Sequence, residues 1–156
     1  GLKDNVARKA GTMGKEENKE MEFWTQEEFQ EFLECVADKP ISYYAFEILY
    51  WTGIREGELL ALTPGDFNFE KKTLRINKSY QRLEGKDVIT DPKTPKSNRT
   101  IVMPDFLAVE IEDFISSLYG IKDDDRIFTI SKSYLHLAKI HIWYICMPSF
   151  RLQIQV

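Results

Sequence analysis

The spacing of hydrophobic positions changes several times along the chain, and each change marks an element. Phe29, Phe32, Leu33 and Val36 recur at i, i+3, i+4 and i+7 behind Thr25-Gln26-Glu27-Glu28, a capping-box sequence. This predicts a helix from about Thr25 to Asp38, closed by Pro40. Ile41–Trp51 is a second helical run crowded with Tyr43, Tyr44, Phe46, Tyr50 and Trp51, read as core rather than as a base-stacking platform. Gly53 suits the position just past that helix. A third helix is expected from near Ile54 to Leu62, stopped by Thr63-Pro64-Gly65.

Shorter runs follow. Asp66–Phe69 and Thr73–Ile76 flank Glu70-Lys71-Lys72 as a hairpin, and Ser79–Leu83 reads as a continuation of its second strand. Val88–Thr90 and Arg99–Met103 flank the next loop and are expected to pair with each other. Asp105 is the expected cap of a helix carrying Leu107, Ile111, Phe114, Ile115 and Leu118 on one face and ending at Gly120. Arg126–Ile130 reads as a short strand, and Ser131 or Ser133 as the cap of a further helix. The fold class predicted is α/β (α+β), mainly helical, with a small antiparallel sheet of about three strands.

A length of 156 residues suits one domain with a sizeable core, and no apolar run approaches the roughly 18 residues of a membrane span. Cys35 and Cys146 are the only cysteines, and with no secretory signal at the start they suit a reduced, cytoplasmic protein. Two cysteines with His136 and His141 make no zinc spacing. The net charge of −4 changes meaning once its distribution is seen. Between Lys71 and Arg99 nine basic residues face three acidic ones, a local charge of +6, whereas the Glu27–Glu34 helix is acidic. That segment is either a phosphate-tracking surface or a solvated, lysine-rich hairpin.

Candidate chemistry concentrates in Thr52-Gly53-Ile54-Arg55-Glu56-Gly57-Glu58-Leu59-Leu60-Ala61-Leu62. Arg55 opens a helix whose later residues are core material, and a desolvated guanidinium in that setting needs an anion. Glu58, three residues on and on the same face, is one candidate; a DNA phosphate is the other.

This stretch resembles the box of tyrosine recombinases, the lambda-integrase class, that carries their first catalytic arginine. Asp91-Pro92-Lys93-Thr94-Pro95-Lys96-Ser97-Asn98-Arg99-Thr100-Ile101 is similar to that family's KTxxSxRxI hairpin, which carries the catalytic lysine. Both boxes occur in family order, and the similarity runs from about Glu22 to about Leu135, closest to integrases of phages and conjugative transposons. It implies site-specific cleavage and rejoining of double-stranded DNA through a 3′-phosphotyrosyl link, with no cofactor, metal, small-molecule substrate or membrane, and tetramers on DNA among intact members. On the matching positions it implies Arg55 as the phosphate clamp, Lys93 as proton donor to the leaving 5′-oxygen with Lys96 as its rival, and Glu58 as a brace for Arg55. Lys78, Arg82, Lys96 and Arg99 are the expected DNA contacts.

The resemblance also implies a division of the chain. Residues 1–20 are expected to be a linker from a core-binding domain, 21–135 the N-terminal part of the catalytic domain, and 136–156 an atypical apolar tail. No His-x-x-Arg occurs, and Tyr144, three residues past His141, is outside the context of the family's nucleophile. A frameshift near Leu135–His136 would account for the tail. The chain is therefore expected to be inactive alone, and the alternative reading is a non-catalytic DNA-binding or regulatory remnant of an integrase.

Overall fold

A computed structural model describes residues 24–91 and 97–138. Helix α1 (Gln26–Glu34) begins as the capping box requires: the Glu28 N–H donates to Thr25 Oγ1, and the Thr25 N–H donates to Glu28 Oε2. It docks on α2 (Pro40–Thr52) through rings, with Phe29 stacked on Tyr50 at 3.8 Å and Phe32 edge-on to Phe46 at 4.8 Å. The aromatics of α2 thus go to the core, as their crowding suggested: Phe46 is buried, and Tyr43, Tyr44, Tyr50 and Trp51 pack against it from the rim. Gly53 closes α2 at φ 64°, a left-handed conformation that strains any residue with a Cβ.

Helix α3 (Glu56–Leu59) is shorter than expected, because a tighter turn takes over at Leu60 and Ala61. A single 3-10 turn (Pro64–Asp66) leads into the sheet. The strands are β1 (Phe67–Asn68), β2 (Thr73–Ile76), β3 (Ser79–Leu83), β4 (Lys86–Thr90) and β5 (Arg99–Val102). β1, β2 and β5 form a three-stranded antiparallel sheet in that order, with Leu74 opposite Ile101 and Ile76 opposite Arg99.

Two pairings differ from expectation. β3 does not continue β2, and Val88–Thr90 does not pair with Arg99–Met103. β3 and β4 form their own hairpin, with Tyr80 opposite Ile89, and β5 pairs with β2 instead. The cause is Glu84-Gly85, both at positive φ (50° and 79°), which makes a two-residue turn of the kind that matches strand twist. A turn that short closes locally at little entropic cost, ahead of any pairing across the longer stretch of chain between Thr90 and Arg99.

Helix α4 (Asp105–Ser117) buries Leu107, Ala108, Ile111 and Phe114, the last stacked on Tyr44 at 4.2 Å. Its N-cap is Pro104 rather than Asp105, and it ends before Gly120. Arg126–Ile130 forms no strand: Ile127 and Phe128 fill the core while a backbone bond from Ile127 N–H reaches Leu62 O at 3.0 Å. Apolar, β-branched sequence here reports burial rather than a ladder. Residues 132–138 are helical, with Ser131 Oγ accepting from the Tyr134 N–H, so the expected boundary at 135–136 falls within that helix. Leu59, Leu60, Leu62, Leu74 and Leu107 are fully buried around one core, each contributing roughly 1.5–3 kcal/mol.

Among the described residues no helix is long and apolar enough to cross a membrane. The linker at 1–20 and the tail beyond 138 lie outside the described residues.

Candidate functional site

The site is assembled where α3 meets β3, β5 and the segment at 131–133. α3 approaches β3 closely because residue 57 is glycine: a Cβ there would stand 2.7 Å from Ser79 Oγ and 3.1 Å from the Tyr80 carbonyl oxygen. Arg55 sits at the N-cap of α3. Its backbone N–H donates to Glu58 Oε2 at 2.9 Å, the returning arm of a capping box, and its guanidinium donates to Glu58 Oε1 at 3.1 Å.

A second guanidinium reaches the same carboxylate. Arg99, at the start of β5, donates from its two terminal nitrogens to Glu58 Oε1 at 2.9 Å and Oε2 at 2.8 Å, a parallel fork. The side chain of Glu58 is 8% exposed, that of Arg99 33% and that of Arg55 78%. Hydrogen bonds from Arg99 hold the Glu58 carboxyl down at about 2, against burial, which raises it; the Arg55 backbone N–H adds to the lowering. Glu58 in turn raises Arg99 above the ordinary arginine value. The carboxylate is therefore ionised at any working pH and carries two cations.

Arg55 faces two open clefts. One, of about 700 Å³, runs past Gly57, Tyr80, Arg82, Lys132 and Ser133; the other, of about 350 Å³, runs past Glu58, Lys78, Gln81 and Ser97. Neither is a closed ligand cavity. The β3–β4 hairpin that walls them is fixed by Tyr80, whose hydroxyl donates to Asp87 Oδ1 at 2.7 Å and whose ring lies under the Arg126 guanidinium at 4.3 Å.

The expected site residues fall into three groups. Arg55, Glu58 and Arg99 come together. Arg82 is exposed on β3 at the edge of the larger cleft. Lys78 turns to the buried Asp66, whose carboxylate also accepts from the Thr63 N–H and hydroxyl and lies 3.5 Å from Arg75. Lys93 and Lys96 lie outside the described residues. Two features escaped the sequence. Lys132, 4.0 Å from Glu56, lines the larger cleft although it lies 77 positions beyond Arg55 in the chain. Gly57 carries no signal that separates a close approach from an ordinary glycine. Among the described residues no cluster of His, Cys, Asp and Glu is placed to hold a metal ion.

An α/β framework with an arginine at a helix start, braced by a buried carboxylate beside two open clefts, defines a class that the comparisons then name. The integrase of the ICEBs1 element from Bacillus subtilis (strain 168) is 34% identical over 99 residues, covering 63% of this chain and 26% of that protein. A tyrosine recombinase, XerC-like, from Caldanaerobacter subterraneus is 30% identical over 106 residues, covering 62% of this chain and 27% of its own length. In three dimensions the chain is similar to the Tn1549 transposon integrase in complex with circular intermediate DNA, with a TM-score of 0.59 and 25% identity over 74% of this chain and 41% of that one. No family model matches the chain.

Over the matched residues the chain is similar to proteins of the tyrosine recombinase/integrase family, as a fragment of one would be. It spans about a quarter of the length of these curated relatives.

Proposed function

We propose that the chain is part of the catalytic domain of a site-specific recombinase that cuts and rejoins double-stranded DNA at attachment sites. One observation carries the reading: a largely exposed guanidinium, Arg55, braced from behind by a buried carboxylate and open to two clefts. During attack on a phosphodiester, charge grows on the nonbridging oxygens, and a planar, always-charged guanidinium is suited to hold two of them at once. Arg55 is the clamp in this reading and Glu58 sets its orientation. Lys93 delivers the proton to the leaving 5′-oxygen, with Lys96 as its rival in the same loop. Arg82 and Lys132 flank the clamp and meet neighbouring phosphates. Residues 21–135 form the N-terminal part of the catalytic domain, with 1–20 as the linker from a core-binding domain. The protein works in the cytoplasm; intact members of the family assemble as tetramers on DNA, and this stretch by itself is a monomer or a non-physiological dimer.

Titration of a labelled duplex over a salt series tests the interface. The logarithm of the binding constant is expected to fall linearly with the logarithm of salt, and Arg55→Ala to make the slope shallower by about 0.9. Binding with no salt dependence overturns the reading.

The second reading is a non-catalytic DNA-binding or regulatory role. A nicked suicide duplex separates the two. A covalent adduct through a tyrosine of this chain establishes cleavage, and binding without an adduct shows that these 156 residues bind without cutting.

A further inference from the structure

The two arginines on Glu58 differ in what they have left to give. Arg99 spends both terminal nitrogens on the carboxylate, at 2.9 and 2.8 Å, and its side chain is two-thirds covered. Arg55 spends one nitrogen at 3.1 Å and leaves the rest of its fork in the clefts. One buried carboxylate carries one negative charge, so the partner that neutralises it decides whether the other is free. Arg99 also opens β5, and its fork ties the start of that strand to α3 across 41 positions of chain.

We infer that Arg99 is a positioning residue rather than a DNA contact: by occupying both oxygens of Glu58 it leaves the Arg55 guanidinium available to a phosphate. This rests on the DNA-binding reading above. Removing Arg99 leaves Glu58 buried and uncompensated, and the nearest cation able to satisfy it is Arg55. A phosphate would then compete with Glu58 for a guanidinium that it now meets largely unopposed. Arg99→Gln therefore removes a phosphate contact made by a different residue. Lysine at 99 cannot reproduce the fork on two oxygens.

The test is a set of four proteins, the wild type, Arg99→Gln, Glu58→Gln and the double variant, read by duplex binding over a salt series. Arg99→Gln is expected to make the slope shallower by about 0.9, and the double variant to return it to the wild-type value, because Arg55 is released again. Glu58→Gln alone is expected to steepen the slope by about 0.9, as Arg99 is freed toward DNA. If Arg99 itself contacts a phosphate, the double variant stays as shallow as Arg99→Gln and Glu58→Gln leaves the slope unchanged; either result overturns the inference. Should Arg99→Gln fail to fold, the double variant and Glu58→Gln still decide it.

A measurement without DNA keeps the two readings apart. Labelling with an arginine-selective dicarbonyl, located by peptide mass, is expected to mark Arg55 faster than Arg99 in the wild type, to slow at Arg55 in Arg99→Gln and to recover in the double variant. Equal labelling of Arg55 in the wild type and Arg99→Gln overturns the positioning role. This labelling order in a protein that binds no DNA overturns the DNA reading and leaves the arrangement of the two arginines standing.

Discussion

Arg99 and Glu58, 41 positions apart, meet through two parallel hydrogen bonds of 2.9 and 2.8 Å, and this pair holds the start of β5 against the helix that begins at Arg55. Acid should report it. Glu58 is lowered to about 2 in the folded chain, so its contribution is fully present above about pH 4.5 and is lost as pH falls through about 2. The shift corresponds to something on the order of 3 kcal/mol. Urea unfolding between these limits should show the stability gap between wild type and Glu58→Gln closing as the solution is acidified. A constant gap would mean that the carboxylate does not hold these partners.

Glu47 should act in the opposite sense. It is 3% exposed on α2, one of its oxygens has no hydrogen-bond partner, and burial first, then Glu110, raises it to about 7. A folded-state value above the unfolded one means that ionisation opposes folding: stability is lost as pH rises from about 4.5 through about 7, by an amount on the order of 3 kcal/mol. Glu47→Gln should therefore gain on the wild type between pH 5 and pH 8 in urea melts. Parallel curves at the two pH values would refute the raised carboxyl.

Gly57→Ala tests the seating of α3. The added Cβ meets a hydroxyl and a backbone carbonyl oxygen at the distances given above, and the backbone atom has little room to yield. A loss of about 1–3 kcal/mol is expected in chemical denaturation. Duplex binding should weaken in parallel, since α3 carries Arg55. Wild-type stability in this variant would show that β3 gives way at no cost.

Arg55→Lys separates folding from chemistry. The Arg55 side chain is mostly in solvent and makes a single hydrogen bond to Glu58, so the thermal midpoint should move by no more than the equivalent of about 1 kcal/mol. Duplex affinity should still fall, because an ammonium cannot hold two phosphate oxygens in one plane. Unchanged affinity would count against Arg55 as the clamp.

Local features carried through from the sequence. The Thr25 capping box, the left-handed Gly53, the apolar faces of α1, α2 and α4 and the place of Arg55 three residues before Glu58 follow from short-range periodicity and turn chemistry, which neighbouring residues alone decide. The resemblance likewise marked Arg55 and Glu58 as a pair. Pairing between strands was another matter. The sequence suggested that Val88–Thr90 would face Arg99–Met103, but the Glu84-Gly85 turn sends it back onto β3 and leaves β5 to β2. The same long-range choice brings Arg99 to Glu58 and Lys78 to Asp66, both of them buried carboxylates. Periodicity along a chain determines which face of an element is apolar. Which cation reaches which buried anion depends on strand order and helix–strand approach, and only the tertiary structure decides those.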